Sequence, residues 1–132
     1  VREKKNMAGF YSNKIMDHYK NPRNRGKMNN PTVEFNATNP VCGDCTDIQL
    51  KIKDGKIVDT AFESMGCAVS VAASSVLTDF LKGKSIAEAK KLTDKDLLGL
   101  LEADLTPVKQ GCATMSLEAM QRAIKNYEKK QK

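Results

Sequence analysis

Between Asp47 and Lys53 the chain alternates strictly: Ile48, Leu50 and Ile52 stand between Asp47, Gln49, Lys51 and Lys53, and the run ends on Asp54-Gly55. Period-two alternation marks a strand with one buried face, and Asp-Gly suits a two-residue hairpin because both turn residues need positive φ. Residues 56 to 65 are therefore expected to return as an antiparallel partner with Val58 and Phe62 prominent, while Val33, Phe35 and Ala37 repeat the alternation upstream as a first strand. Three such strands leave an apolar face that needs a cover.

The rest of the chain changes period and can supply that cover. Val69, Ala72, Ala73, Val76, Leu77, Phe80 and Leu81 recur at i, i+3, i+4 after Cys67, and Gly83 stops the helix they predict. Ser85 with Glu88, and Thr93 with Asp96, read as a capping box and its acidic variant, so two shorter helices follow, the second made greasy by Leu97, Leu98, Leu100 and Leu101. Proline disfavours helix at the residue before it, so Leu105 to Lys109 is expected to be extended. A last helix is predicted from near Cys112, with Leu117, Met120, Ile124 and Tyr127 on one side. At the other end Ser12 can cap a short helix carrying Ile15, Met16 and Tyr19, closed by Asn21-Pro22, and residues 20 to 31 read as a polar surface loop. The predicted fold is α+β: a three-stranded antiparallel sheet covered by a layer of helices, with a short N-terminal helix. Residues 11–132 form one domain behind a flexible tail at 1–10.

A chain of 132 residues with 40% apolar content supports one core. No apolar run approaches the roughly 20 residues of a membrane span, and the charged start lacks a signal segment, so the expected location is the cytoplasm, where thiols stay reduced. The net charge of +6 sits at the ends: residues 1–30 carry eight Lys/Arg against two acids, residues 121–132 five against one, and the middle nine against thirteen. With no aromatic interleaving, this distribution argues against nucleic acid.

The chemistry rests on four cysteines. Cys42 and Cys45 form a C-x-x-C around Gly43-Asp44, whereas Cys67 and Cys112 are single, each directly after a glycine. Glycine neighbours place these thiols on turns, and Cys67 and Cys112 each stand where a helical pattern begins, the end at which a helix dipole favours negative charge. A closed structural zinc site ordinarily uses two paired motifs, so this spacing fits an open, three-point site better. Asp44 offers a fourth, oxygen donor, or an Asx turn within the Gly43 loop. A hard carboxylate beside soft thiolates makes an exchangeable position. Cys45 opens a strand and serves either as a ligand or as core.

The chain resembles the IscU/NifU-type iron-sulfur cluster assembly scaffolds over nearly its whole length. The resemblance lies in Asp17-His18-Tyr19-Lys20-Asn21-Pro22-Arg23-Asn24, in Cys42-Gly43-Asp44, in Gly66-Cys67 with the small-residue run Ala72-Ala73-Ser74-Ser75, and in Pro107-Val108-Lys109 shortly before Cys112. It implies a scaffold rather than a turnover enzyme. A cysteine desulfurase delivers persulfide sulfur, iron joins it, and a labile 2Fe-2S cluster is built and passed to apo iron-sulfur proteins. By position it implies Cys42, Asp44, Cys67 and Cys112 as cluster and metal ligands, Cys112 as persulfide acceptor, and Lys109 as an assisting residue.

Two departures stand out. The IscU branch usually carries a histidine before its third cysteine, where this chain has Gly111, so the fourth ligand is Asp44, Cys45 or an external group. Leu105-Thr106-Pro107-Val108-Lys109 resembles the Leu-Pro-Pro-Val-Lys segment through which an Hsp70-type chaperone and its co-chaperone engage the family, with Thr106 replacing a proline. Pairing of two chains over their sites would give a homodimer, and Tyr11 serves either such pairing or helix packing. The alternatives are a SufU-like sulfur acceptor that holds zinc, also the ion expected in the apo form, and a plain zinc-stabilised interaction module.

Overall fold

The three alternating segments pair as their patterning dictates in the computed structural model, which describes residues 12–38, 43–102, 105 and 107–130. Strands β1 (Val33–Thr38), β2 (Cys45–Lys53) and β3 (Lys56–Met65) form one antiparallel sheet in the order β1-β2-β3. Asp54 and Gly55 turn the hairpin with φ of 53° and 77°, the positive pair that the tight turn requires. Ile48 and Leu50 are fully buried on the helix-covered face.

The β3 expectation needs one correction. Val58 is 51% exposed, and Ile57 takes the buried place instead. Ile52 pairs with Ile57 while Lys51 pairs with Asp59, so Val58 is an extra residue that inverts the alternation. Phe62, opposite Ile48 and fully buried, is core as expected. Its backbone also closes the sheet edge: Phe62 N–H donates to the Asn24 carbonyl at 2.9 Å and the Phe62 carbonyl accepts from Gly26 N–H at 2.8 Å.

Helix α2 (Ala68–Leu81) runs across the inner face and is the centre of the molecule. Its apolar stripe is buried as predicted except at Phe80, which is half-buried with Lys84 Nζ 4.8 Å from its ring centre, and Ser70, Ser74, Ser75 and Thr78 are buried as well. Burial of these hydroxyls is tolerable because each is bonded: Ser74 to the Ser70 carbonyl, Thr78 to the Ser74 carbonyl, Ser70 to Asp44, and Ser75 to His18. Helices α3 (Ile86–Lys90) and α4 (Asp94–Leu101) each begin on a complete capping box, at Ser85/Glu88 and Thr93/Asp96. Helix α5 (Pro107–Lys130) packs along β1, β2 and α2 and buries Leu117, Met120 and Ile124.

The start of α5 is a second correction. Pro107 is the first helical residue, so Pro107 to Lys109 are not extended, and Gly111 lies inside the helix rather than on a turn. Proline's fixed φ suits the first helical position, where its missing N–H costs nothing. The proline rule constrains only the residue before it.

Helix α1 (Asn13–Lys20) is capped by Ser12, whose hydroxyl accepts from Ile15 N–H and donates to the Leu101 carbonyl at 2.7 Å. His18 anchors it to α2, with Nδ1 2.7 Å from Ser75 Oγ, which also accepts Arg23 N–H at 2.8 Å. Burial, reinforced by the nearby Arg23 guanidinium, holds the His18 pKa below its ordinary 6.5 despite the opposing Asp17 carboxylate. The folded protein thus takes up the proton less readily than the unfolded chain. Stability contributed by neutral His18 is complete above pH 6.5 and falls as pH drops through 6.5 toward the lower folded pKa. The expected slope approaches about 1.4 kcal/mol per pH unit. Urea titrations at pH 7.5 and 5.5 should show His18→Gln losing less stability on acidification than the parent; an identical loss would contradict this assignment.

Candidate metal centre

β3 delivers Met65 and Gly66 to the beginning of α2, where Cys67 occupies the N-cap position with extended backbone. Cys67 makes no cap bond with its own side chain. That role falls to Asp44, which precedes β2 and comes from a distant part of the chain. Asp44 Oδ2 accepts the Cys67 N–H at 3.2 Å and the Ser70 hydroxyl at 2.6 Å. The carboxylate is therefore seated on the positive end of α2, where the helix dipole favours its charge.

Gly66 makes this seat available. Its φ is +155°, and a Cβ built on it would stand 2.6 Å from either Asp44 carboxylate oxygen. Any side chain would collide with the acid. Two positions 22 residues apart are thus coupled by contact rather than by sequence spacing.

Cys112 reaches the same place from α5. One donor atom each from Asp44, Cys67 and Cys112 lie within 4.8 Å of one another, close enough to share an ion. Asp44 and Cys112 are buried and Cys67 is half-buried, so Cys67 is the more exposed of these two thiols. Two soft sulfurs and a hard oxygen suit zinc or iron, with zinc–sulfur bonds near 2.3 Å and zinc–oxygen bonds near 2.1 Å.

The other predicted positions fall as follows. Cys42 lies outside the described residues, as do Tyr11, Thr106 and the segment 1–10 except by sequence. Cys45 opens β2 opposite Thr38 and Met65, and the alternation that turns Thr46 and Ile48 inward turns Cys45 to the other face; it is not part of the three-residue group. Lys109 is half-buried in the first turn of α5, three residues before Cys112 and so on the same side of that helix. Cys112 itself is a turn and a half into α5, which corrects its expected place at a helix start. Ser70 was not legible as a site residue beforehand. Its only sequence signal is a hydroxyl three positions after Cys67, the spacing at which a first-turn side chain can reach a helix cap.

The α+β domain thus closes a sheet-to-helix turn around a carboxylate and two thiols that could hold a metal ion. The family model for the NifU-like N-terminal domain matches residues 10–132, and the chain belongs to that family. It is 41% identical over 121 residues to "Iron-sulfur cluster assembly scaffold protein IscU 1" of Archaeoglobus fulgidus, covering 92% of this chain and 78% of the relative. It is 39% identical over 124 residues to the IscU scaffold protein of Escherichia coli K12, covering 91% and 95%. Among solved structures, the N-terminal NifU-like protein of Brucella abortus superposes with a TM-score of 0.77 over 93% of this chain and 97% of that one, at 20% identity. The α+β architecture expected from the alternation and capping signals is the architecture of that fold.

Proposed function

We propose that this protein is a scaffold on which an iron-sulfur cluster is assembled and from which it is passed to apo-proteins. The observation that carries the reading is the convergence of Asp44, Cys67 and Cys112 within 4.8 Å, in a chain whose relatives bear the scaffold name. Cys42, two residues before Asp44, is the third thiolate in this reading, and Cys45 is left outside the ligand set.

Iron and sulfide are cargo here. A desulfurase persulfide would transfer its outer sulfur to a scaffold thiolate, the desulfurase cysteine leaving as thiolate and the scaffold cysteine becoming the persulfide. Two electrons from an external thiol or ferredoxin-type donor then reduce that sulfur to sulfide. Cys67, more exposed than Cys112, would meet a donor first; delivery to Cys112 requires the entrance of α5 to open. Lys109, on the Cys112 side of that helix, would balance negative charge as thiolates and sulfide accumulate. Asp44 supplies the exchangeable bond, a hard donor on a soft site that leaves more readily than a fourth thiolate. The cluster in this reading is 2Fe-2S, and zinc occupies the same ligands in the absence of iron.

A chaperone of the Hsp70 type would bind Leu105 to Lys109 only after unwinding, since Leu105 is buried and Pro107 to Lys109 are helical. A homodimer over the site would bring a second set of thiolates to Cys67.

Anaerobic reconstitution with iron and sulfide should give the visible absorption of a cluster that moves to an apo-ferredoxin. Asp44→Ala should hold that cluster several-fold longer and transfer it more slowly. A colourless chain holding one tight zinc and transferring nothing would overturn the scaffold reading in favour of a zinc-bound sulfur acceptor.

A further inference from the structure

Ser70 touches two of the three convergent ligands. Its hydroxyl donates to Asp44 Oδ2 at 2.6 Å, and its oxygen lies 3.6 Å from Cys67 Sγ. The shorter separation is that of a hydroxyl bonded to an ionised carboxylate, the strong class of hydrogen bond. Ser70 is 1% exposed, so water does not compete for this bond. A serine hydroxyl carries a single proton. While that proton rests on Asp44, it is not available to the Cys67 sulfur.

Resting on the metal-site reading above, we propose that Ser70 is a positioning residue that sets how readily the site gives up its ion. Its hydroxyl and the bound ion both draw on the charge of the same carboxylate, so the bond to Ser70 weakens Asp44 as a ligand. As the ion loosens, Asp44 has a destination already built, the Ser70 hydroxyl together with the Cys67 N–H. Without Ser70, that destination loses its hydroxyl and the carboxylate stays on the ion longer. The Gly66 cradle and the Cys67 N–H remain in either case, so Asp44 keeps its place.

The test uses cobalt(II) alone as the probe, loaded anaerobically, with release into excess chelator followed by the sulfur-to-cobalt charge-transfer band. Ser70→Ala is expected to slow release about tenfold, the effect of one hydrogen bond to a charged group. Ser70→Thr keeps a hydroxyl and should restore the wild-type rate. In an Asp44→Ala background the Ser70→Ala change should leave the rate unmoved, because its effect runs through the carboxylate. An unchanged rate in Ser70→Ala, or the same change with and without Asp44, overturns the role assigned to Ser70 while leaving the metal site standing. A wild-type chain with no sulfur-to-cobalt band overturns the metal site itself, and this inference with it. Far-UV circular dichroism of each variant confirms that α2 is intact, as expected when alanine or threonine replaces serine without adding a charge.

Discussion

Gly66→Ala is expected to destabilise the fold by roughly 2–4 kcal/mol and to take Asp44 out of the metal's ligand set, changing the cobalt spectrum. Two costs combine. The backbone there has φ of +155°, which side chains rarely adopt, and the new methyl would stand 2.6 Å from both Asp44 carboxylate oxygens. Asp44 must then leave its seat, surrendering its bonds to the Cys67 N–H and the Ser70 hydroxyl. The loss should be recognisable as a collision by adding Asp44→Ala: with the carboxylate removed, the methyl has room and the double variant should recover part of the lost stability. Chemical denaturation measures the first effect and the cobalt spectrum the second. A Gly66→Ala chain as stable as the parent, with an unchanged cobalt spectrum, would show that the carboxylate does not occupy this seat.

Phe62→Ala should cost more, about 3–5 kcal/mol, because a large fully buried side chain leaves a cavity that a sheet cannot close. Phe62 is 0% exposed, lies opposite Ile48 in the middle of the hairpin, and carries the backbone bonds that tie Asn24 and Gly26 to the sheet edge. Val58 on the same strand provides the contrast. It is 51% exposed at the irregularity, and Val58→Ala should change stability by no more than about 0.5 kcal/mol. Urea midpoints of the two variants decide it; comparable losses would mean that Val58, not Ile57, packs inward.

These two residues also show what a reader of the sequence could and could not see. The alternation around Ile48, the Asp54-Gly55 turn, and the boxes at Ser85/Glu88 and Thr93/Asp96 are local signals, and local chemistry decided them. Val58 misled because one extra residue inverts the pleat, and an irregularity is set by the partner strand. Helix α2 looked amphipathic since Ser70, Ser74, Ser75 and Thr78 are polar; Ser70, Ser75 and Thr78 are buried because Asp44, His18 and Asn24 come to meet their hydroxyls, and Ser74 because its own turns back on the Ser70 carbonyl. Gly111 suggested a turn beside Cys112, whereas α5 begins four residues earlier at Pro107 and simply tolerates the glycine.

The candidate site was partly legible for the same reason. Asp44, Cys67 and Cys112 could be singled out by residue type and by glycine neighbours, and motif resemblance strengthened the set. The seat that holds Asp44 could not be read, since it needs Gly66 and Ser70 to meet a carboxylate from before β2. Nothing in spacing alone announces such a contact.

The most direct test is zinc K-edge X-ray absorption on the chain loaded with one equivalent of zinc, beside Cys67→Ser and Cys112→Ser. Shared ligation predicts sulfur neighbours at about 2.3 Å whose number falls by one in each variant. Zinc bound by nitrogen and oxygen alone, or a sulfur count that neither substitution moves, would contradict it.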